Sequence, residues 1–551
     1  MARSYTHGGC PTPLIGQTIG DNLQQAVARY ADNEAVVSVK QGIRWSYASL
    51  SEQVDQLARG LLALGLGRGD RIGIWSPNRA EWVLVQYATA RLGAILVNIN
   101  PAYRVHELEY ALNQSGCRFL VSATTERTTD YREMITRAQV SLPHLERTIY
   151  LATPDWADLL TAGEKVSVDR LRTIAESLDF DGPINIQYTS GTTGFPKGAT
   201  LTHHNILNNG FFVGEICGYT DVDRVCIPVP FYHCFGMVIG NLACTTHGST
   251  IVIPGPTFDA LDVLECVAAE RCTSLYGVPT MFIAELQHPR FGEFDLSSLR
   301  TGMMAGAPCP VEVMRQVVDR MHMREITIGY GMTETSPVST QTAVDDPLER
   351  QVGTVGRVHP HVEVKIVDPA TGEVTERGVA GELCTRGYSV MRGYWNDVER
   401  TAEAIDTSGW MHTGDLGTMD DHGYLNIVGR IKDVIIRGGE NVYPREVEEF
   451  LFTHPSVVDV QVIGVPDPYY GEELMAWVKL KDGATATADD LRLFCRDQIA
   501  RYKIPRYIHF ADQFPMTVTG KVQKFKMREE AIQLLGLGEL AAKSTAATPG
   551  Q

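Results

Sequence analysis

The sequence has few cysteines, no excess of basic residues and no apolar leader. Eleven cysteines are spread over 551 residues and none are spaced C-x-x-C, which disfavours a disulfide framework or a zinc knuckle. Lys and Arg number 49 against 66 Asp and Glu, a net charge of −17, so we expect no nucleic acid as partner. The first twenty residues contain no signal-peptide core. A cytoplasmic protein is therefore expected.

One long uncharged stretch, Val225 to Phe258, is interrupted by prolines at 228, 230, 254 and 256. A membrane-spanning helix needs about 20 predominantly apolar residues in a row. We therefore expect a buried strand, loop and helix here, and no integral membrane segment.

Apolar runs alternate with helical patterns over much of the chain, as in a parallel sheet covered by helices. The runs that read as buried strands include 71–75, 94–99, 118–123, 249–254, 273–279 and 325–331. Between about Val352 and Tyr394 the pattern becomes alternating, which indicates antiparallel strands. From about 432 a compact α+β unit follows. The expected fold class is α/β, with an N-terminal domain at 1–431, a β-rich subdomain at about 345–431, and a small C-terminal domain at 432–551.

The segment from Tyr188 to Gly198 concentrates four Ser or Thr hydroxyls, three glycines and Lys197 in eleven residues. Glycines let backbone N–H groups approach an anion, hydroxyls add donors, and lysine adds positive charge. The segment is not a Walker loop, because Pro196 stands at the second glycine and Gly198 where Ser or Thr is required. A phosphate site of another type is predicted, with a flexible surface linker as the alternative.

Five segments in order along the chain resemble the signatures of the adenylate-forming acyl-CoA synthetases. These segments are Thr189–Gly198, Gly329–Thr335, Trp410–Asp415, Gly429–Asp433 and Thr519–Lys521. The residue sequence at 435–444 is most similar to that of medium-chain fatty-acyl-CoA synthetases. The resemblance implies a small mobile C-terminal domain and a reaction in two halves. A carboxylate attacks the α-phosphorus of ATP, with Mg²⁺ as cofactor, which gives an acyl adenylate and releases pyrophosphate. The thiolate of coenzyme A then displaces AMP.

The resemblance also implies roles for individual residues. Lys521 is expected between the substrate carboxylate and the α-phosphate, where it stabilises charge in the transition state. Thr189 and Glu334 are the expected magnesium pair, and Thr333 contacts the α-phosphate. The residues expected to bind nucleotide or coenzyme A are Thr189, Ser190, Gly191, Thr192, Thr193, Gly194, Phe195, Pro196, Lys197, Gly306, Ala307, Pro308, Gly329, Tyr330, Gly331, Met332, Asp415, Arg430, Lys432, Gly438 and Gly439.

Several of these residues have a physical interpretation of their own, each with a structural alternative. Tyr330 ends an apolar strand, so its ring is a candidate for stacking on adenine, with Gly306–Pro308 opposite; an ordinary core tyrosine is the alternative. Glu334 follows a strand end, where open α/β sheets bind ligands, or else is a carboxylate at a helix start. Asp415 is a candidate acceptor for the ribose hydroxyls, or else a structural turn residue.

The resemblance places the domain hinge at Lys432 and the pantetheine passage at Gly438 and Gly439. Basic residues of the C-terminal unit fit a polyanionic second substrate, or else form a solvated face. They are Arg437, Arg445, Lys503, Arg506, Lys524, Lys526 and Arg528.

The acyl site is expected at His233, Phe235, Gly236, Met237 and Gly240. Gly236, Gly240 and Cys244 would share one face of a helix, which leaves either a channel or tight helix packing. No Arg or Lys lies in this segment, which disfavours dicarboxylic acids. A fatty acid, with medium chain length favoured, is the predicted substrate. A fatty acyl-AMP ligase that loads a carrier protein, an aryl-CoA ligase and a nucleotide sensor without chemistry are the alternatives, and oligomeric state is not assigned.

Overall fold

The computed structural model describes residues 2–189, 196–438, 440–496, 498–517, 522–538 and 540–541. Its strands form four large sheets and one small hairpin. The strands are β1 (Tyr5–His7), β2 (Glu34–Ser38), β3 (Ile43–Ser46), β4 (Arg71–Trp75), β5 (Ile95–Asn98), β6 (Phe119–Ser122), β7 (Thr125–Glu126), β8 (Thr129–Asp130), β9 (Arg147–Tyr150), β10 (Pro183–Thr189), β11 (Lys197–Thr202), β12 (Arg224–Cys226), β13 (Thr250–Ile253), β14 (Ser274–Gly277), β15 (Thr301–Ala305), β16 (Glu325–Gly331), β17 (Val338–Gln341), β18 (Arg357–Val358), β19 (Val362–Val367), β20 (Gly381–Gly387), β21 (Gly393–Tyr394), β22 (Met411–Met419), β23 (Leu425–Arg430), β24 (Ile435–Arg437), β25 (Glu440–Val442), β26 (Val457–Asp467), β27 (Gly471–Leu480) and β28 (Tyr507–Phe510).

Helices cover the sheets, as the alternating pattern of the sequence predicts. The α-helices are α1 (Ile19–Tyr30), α2 (Tyr47–Ala63), α3 (Ala80–Leu92), α4 (Val105–Ser115), α5 (Tyr131–Ala138), α6 (Pro154–Gly163), α7 (Val168–Glu176), α8 (His203–Ile216), α9 (Cys234–Gly236), α10 (Ala243–His247), α11 (Ala260–Glu270), α12 (Pro279–Leu286), α13 (Val311–Arg320), α14 (Leu348–Gly353), α15 (Val398–Ala404), α16 (Pro444–Phe452), α17 (Ala488–Cys495) and α18 (Lys524–Leu534). A π-helix, Met237–Leu242, joins α9 to α10.

Two sheets are mainly parallel and carry the strands that end at the candidate site. The seven-stranded sheet has the order β21-β11-β10-β5-β4-β6-β9, and the nine-stranded sheet the order β18-β17-β16-β15-β14-β12-β13-β2-β3. Strands β4, β5, β6, β13, β14 and β15 are buried at every or nearly every position, because helices cover both faces of such sheets. The predicted α/β architecture is confirmed.

The five-stranded sheet is antiparallel, with the order β1-β19-β20-β22-β23. Antiparallel pairing of 362–367 with 381–387 confirms the change of pattern seen in the sequence. The sheet also includes β1, which pairs with β19 through Thr6 and Val364 and was not anticipated. The final sheet contains β24 to β28, the strands of the predicted C-terminal α+β unit.

The stretch from Val225 to Phe258 folds as β12, α9, the π-helix, α10 and β13. This arrangement confirms the strand, loop and helix expected there. Throughout the part of the chain that the structure describes, every helix is too short or too polar to cross a membrane.

Helix α12 contains a buried carboxyl group, that of Glu285. Glu285 is 1% exposed, and neither of its carboxyl oxygens finds a hydrogen-bond partner among the described residues. Burial raises the pKa of Glu285 well above 4.5, because an apolar environment disfavours the charged form. Glu285 is therefore protonated in the folded protein at pH values where it is ionised in the unfolded chain.

We expect Glu285→Gln to stabilise the protein increasingly as pH rises above 4.5. A folded-state pKa that is raised contributes stability at low pH, and this contribution is lost as pH rises toward the folded pKa. The neutral amide avoids this loss, which amounts to about 1.4 kcal/mol for each pH unit between the unfolded-state and folded-state pKa values. The stability difference is measured from the denaturation midpoints of Glu285→Gln and the parent protein between pH 5 and pH 8. Glu312→Gln on α13, where the side chain is exposed, is the control, and parallel curves for Glu285→Gln and the parent would contradict the prediction.

Candidate active site

The carboxyl ends of strands from two sheets bring Thr189 and Glu334 together. Thr189 ends β10, and Glu334 lies in a 3₁₀ turn, Thr333–Thr335, just after β16. The Thr189 hydroxyl donates to Glu334 Oε1 over 3.3 Å. Glu334 and Thr333 are each only 5% exposed. Two residues that the sequence analysis paired as magnesium ligands therefore lie next to each other.

The turn that presents Glu334 is held by backbone contacts. Strand β16 ends at Gly331, where a Cβ would lie 1.7 Å from the carbonyl oxygen of Pro337, so only glycine fits. The Met332 N–H donates to the same carbonyl over 2.9 Å, and the Thr335 hydroxyl donates to it over 2.8 Å. These contacts fix the direction in which Glu334 leaves the strand end.

Tyr394 is a member of this site that sequence reasoning missed. Its hydroxyl donates to Glu334 Oε1 over 2.8 Å, and burial together with the Glu334 carboxylate raises the pKa of Tyr394. The ammonium of Lys197 lies 4.9 Å from the centre of the Tyr394 ring, within the range of a cation–π contact. Strand β21, which carries Tyr394, pairs with β11, so Tyr394 links the lysine to the glutamate.

The donor set suits Mg²⁺. Carboxylate and hydroxyl oxygens are the hard ligands that this cation prefers, usually one or two from the protein with the remainder from phosphates and water. Glu334 and Thr189 supply one carboxylate and one hydroxyl, 3.3 Å apart. The residues present therefore fit a magnesium ion that is shared with bound phosphates.

A second group of side chains joins Tyr330 to Asp415 and Arg430. The Tyr330 hydroxyl donates to Asp415 Oδ2 over 2.8 Å, and Arg430 Nε donates to Asp415 Oδ1 over 3.0 Å. Asp415 and Arg430 are direct partners in the β22–β23 pair. Burial, followed by the Asp415 charge, raises the pKa of Tyr330. Asp415 is therefore held by donors from two elements, the end of β16 and strand β23.

Gly306, Ala307 and Pro308 begin at the end of β15, beside the strand that carries Tyr330. Ala305 and Gly329 are partners in the parallel β15–β16 pair. Gly306 has φ of 85°, a conformation that favours glycine, and the chain turns there. The structure thus places the predicted adenine wall and the Tyr330 ring at the same edge of the nine-stranded sheet.

We expect Tyr330→Phe to raise the KM for ATP about tenfold and to leave the KM for the acid nearly unchanged. The substitution keeps the ring but removes the hydroxyl that positions Asp415, and a hydrogen bond to a charged group is worth about 1.5–3 kcal/mol. Steady-state kinetics with each substrate varied in turn measure the two constants.

The control for this prediction is Tyr47→Phe. It removes another buried hydroxyl, one that donates to the carbonyl of Ser249 over 2.7 Å, and should leave both constants unchanged. An equal rise in both KM values for Tyr330→Phe would contradict a specific role in nucleotide binding.

The predicted phosphate segment is described only at its two ends. Thr189 and Lys197 are direct partners in the antiparallel β10–β11 pair, so the segment between them begins and ends beside Glu334. The Pro196 carbonyl accepts from the Tyr110 hydroxyl over 3.0 Å. Ser190, Gly191, Thr192, Thr193, Gly194, Phe195, Gly439 and Lys521 lie outside the described residues.

The predicted hinge and passage residues lie where the chain leaves the antiparallel sheet. Lys432 is exposed in a 3₁₀ turn, Ile431–Asp433, directly after β23. Gly438, with φ of 61°, sits in the turn between β24 and β25. The hinge at Lys432 and the passage at Gly438 stay predictions.

The basic residues of the C-terminal unit are mostly paired with carboxylates of the same unit. Six of the seven have an acidic partner: Arg437 with Glu473, Arg445 with Glu449, Lys503 with Glu446, Arg506 with Asp467, Lys524 with Glu448 and Arg528 with Glu472. Their charges are therefore largely compensated, and they do not by themselves indicate a site for coenzyme A.

The predicted acyl segment is tightly packed at its glycines. His233 caps α9 by accepting from the Phe235 N–H, and Met237 and Gly240 lie in the π-helix. A Cβ on Gly236 would lie 2.4 Å from the Pro230 carbonyl oxygen, and one on Gly240 would lie 3.0 Å from Ile227 Cδ1. Of the two alternatives, tight packing rather than a channel is seen at these glycines.

The π-helix also changes the register that the sequence suggests. An extra residue per turn takes Cys244 off the face that a continuous α-helix would give it with Gly240. The Met237 sulfur accepts from the side-chain amides of Asn98 and Gln187, each over 3.1 Å. These buried amides of β5 and β10 were not found from the sequence, because they belong to no motif.

Comparison with known proteins gives the family. The sequence model of the family described as "AMP-binding enzyme" matches residues 23–395, and that of the "AMP-binding enzyme C-terminal domain" matches residues 446–521. A putative acyl-CoA synthetase, YngI, of Bacillus subtilis is 50% identical over 95% of this chain and 99% of its own length. The mitochondrial medium-chain acyl-CoA ligase ACSF2 of Danio rerio is 45% identical over 98% of this chain and 92% of its own.

Solved structures give the same result. ATP-bound MatB from Rhodopseudomonas palustris superposes with a TM-score of 0.82 at 31% identity, over 93% of this chain and 98% of its own. The anthranilate CoA ligase AuaEII in complex with anthranoyl-AMP superposes with a TM-score of 0.83 at 27% identity, over 94% of this chain and 98% of its own.

The chain belongs to the family of AMP-binding enzymes, and within it to the acyl-CoA synthetases. The predicted class, an AMP-forming acid–thiol ligase that uses ATP, Mg²⁺ and coenzyme A, is thereby confirmed.

Proposed function

We propose that the protein activates medium-chain fatty acids as acyl adenylates at the site formed by Thr189, Glu334 and Asp415, and then transfers the acyl group to coenzyme A. The contact between Thr189 and Glu334, together with the Tyr394 hydroxyl on the same carboxylate oxygen, carries this proposal. This contact places a hydroxyl oxygen and a carboxylate oxygen, both suitable ligands for Mg²⁺, at the strand ends where the phosphates of ATP would be held.

In the first half-reaction the chain binds and orients two anionic substrates. Backbone N–H groups and hydroxyls of the segment from Thr189 to Lys197 hold the β- and γ-phosphates, and Thr333 and Lys521 contact the α-phosphate. Tyr330 stacks on adenine and Asp415 accepts from the ribose hydroxyls. Positioning and charge neutralisation supply most of the rate enhancement in such a displacement. Glu334 and Thr189 would hold Mg²⁺, whose positive charge would neutralise part of the charge of the phosphates.

In the second half-reaction the C-terminal domain rotates about Lys432, so that Lys521 leaves the site and Gly438 and Gly439 border the thiol passage. The thiol of coenzyme A then attacks the acyl carbonyl and AMP leaves. The position of Lys432 between the antiparallel sheet and the C-terminal sheet supports this division.

The acid is proposed to lie along the segment 233–240, which contains no Arg or Lys to pair with a second carboxylate. The ACSF2 relative is named a medium-chain acyl-CoA ligase, which supports an aliphatic chain of that class. Each buried methylene is worth about 0.8 kcal/mol, so two carbons change selectivity by roughly fifteenfold.

We also propose that the protein acts in the cytoplasm on small molecules. The eleven cysteines, all among the described residues, are thiols rather than disulfides, as in a reducing compartment. The net charge of −17 supports small substrates rather than nucleic acid.

The experiment that tests this function is AMP release from ATP and Mg²⁺ with aliphatic acids from acetate to palmitate, and with benzoate, each with and without coenzyme A. We expect release that depends on coenzyme A and is greatest for one medium-chain acid. Adenylate that accumulates equally without coenzyme A would indicate a ligase that loads a carrier protein. A preference for benzoate would indicate an aryl-CoA ligase, and either result would overturn the proposal.

A further inference from the structure

Outside the nucleotide site, three side chains with different metal-binding atoms converge on the antiparallel sheet. Cys384 and His412 are direct partners across β20 and β22, and Glu382 lies two residues before Cys384 on the same face of β20. The Cys384 sulfur is 3.6 Å from His412 Nδ1, and His412 Nδ1 is 2.9 Å from Glu382 Oε2. The three donor atoms all lie within 4.8 Å of one another.

These distances suit a tetrahedral ion. Zinc binds sulfur at about 2.3 Å and imidazole nitrogen at about 2.0–2.1 Å, and a tetrahedral angle then places sulfur and nitrogen about 3.6 Å apart. This is the separation of Cys384 Sγ and His412 Nδ1. Glu382 Oε2 needs only a slight outward movement, because its hydrogen bond with the ring now holds it at 2.9 Å.

A fourth residue lies where an outer partner of such a site belongs. Asp406 Oδ2 is 3.8 Å from His412 Nε2, the ring nitrogen that faces away from Cys384 and Glu382. Metal-bound histidines commonly donate their other N–H to a carboxylate, which fixes the tautomer. The His412 side chain is 35% exposed and that of Glu382 13%, so an ion and a completing water can reach the donors, while Cys384 forms the buried base.

We propose that Glu382, Cys384 and His412 bind a divalent ion of the zinc class, with water in the fourth position and Asp406 as the outer carboxylate. The mixture of thiolate, imidazole and carboxylate donors favours Zn²⁺ over Mg²⁺, which takes oxygen ligands. Binding of the ion converts the Cys384 thiol to a thiolate and releases one proton. His412 binds the ion through Nδ1 as a neutral ring, with its proton on Nε2, which faces Asp406. Lys365 is the direct partner of Cys384 across β19 and β20, so its ammonium opposes the added positive charge.

The site would act on the turn that presents Asp415. Glu382 accepts from the Gly414 N–H through its other oxygen, Oε1, over 3.1 Å, and Gly414 directly precedes Asp415. A metal held between β20 and β22 would therefore restrain the strand pair that carries Asp415 and should raise the thermal unfolding midpoint of the protein.

The test is a cobalt(II) titration of the full-length, chelator-treated protein without nucleotide, under a phosphine reductant. Tetrahedral thiolate ligation gives a thiolate-to-cobalt charge-transfer band and intense d–d bands. We expect one equivalent to bind with these bands, zinc to displace it, and the unfolding midpoint to rise. Cys384→Ser should abolish the charge-transfer band, and Asp406→Asn should weaken binding by roughly 10- to 100-fold.

The matched control is Cys266→Ser. Cys226, Cys266 and Cys272 form a second thiol cluster in the core, and the control should leave the bands unchanged. Absence of a thiolate band in the parent protein would overturn the proposal. A band that survives Cys384→Ser, or one that disappears with Cys266→Ser, would overturn it equally. If Cys384→Ser folds poorly, the cobalt affinity of Asp406→Asn decides the matter, and an affinity equal to that of the parent would overturn the proposal.

Discussion

Lys521→Ala is expected to reduce formation of the acyl adenylate from fatty acid and ATP by about a hundredfold to a thousandfold. The role proposed for Lys521 places its charge between the carboxylate and the α-phosphate only in the first half-reaction, and loss of one group that stabilises transition-state charge typically costs 10²–10³. Thioester formation from supplied acyl adenylate and coenzyme A should stay within a few-fold of the parent rate. Single-turnover assays of each half-reaction measure the two rates.

Lys481→Ala is the matched control for this prediction, because it removes an exposed lysine of the same C-terminal unit that has no proposed role in binding. It should leave both half-reactions near the parent rate. Equal losses of rate in both half-reactions for Lys521→Ala would contradict the proposal that the C-terminal domain alternates between two positions.

Glu334→Gln is expected to slow adenylation by about 10²- to 10³-fold and to make the remaining rate depend on higher Mg²⁺ concentrations. The amide keeps the size of the side chain and an oxygen that accepts from Tyr394 and Thr189, but it loses the negative charge that a magnesium ligand supplies. The adenylation rate measured over a range of Mg²⁺ concentrations separates loss of metal affinity from loss of the chemical step.

The comparison variant is Tyr394→Phe. It removes the 2.8 Å hydrogen bond to Glu334 but keeps the carboxylate, so we expect a loss of only about tenfold, in line with one hydrogen bond to a charged group. A Glu334→Gln protein with the parent's rate and magnesium dependence would show that the Thr189–Glu334 contact is structural.

Elements with continuous apolar patterns were predictable from the sequence. Strands β4 at 71–75 and β16 at 325–331 begin and end where the sequence analysis places them, because buried parallel strands read as unbroken apolar runs between polar or glycine boundaries. Their ends also locate the site, since ligands of open α/β sheets lie at the carboxyl ends of strands.

Features that depend on contacts distant in sequence were not predictable. Strand β1 has three residues with no apolar pattern, and its partner β19 lies about 360 residues away. Tyr394 reaches Glu334 only because β21 pairs with β11. The π-helix at 237–242 has no residue pattern that distinguishes it from an α-helix. The sequence therefore predicts a continuous α-helix, in which Gly236, Gly240 and Cys244 would share one face.

The central claim, an acyl adenylate formed before coenzyme A reacts, is tested most directly by exchange of labelled pyrophosphate into ATP. With a medium-chain acid and Mg²⁺ but no coenzyme A, the account predicts rapid exchange that depends on the acid and is lost with Lys521→Ala. Exchange that requires coenzyme A, or that is absent while acyl-CoA still forms, would contradict the account.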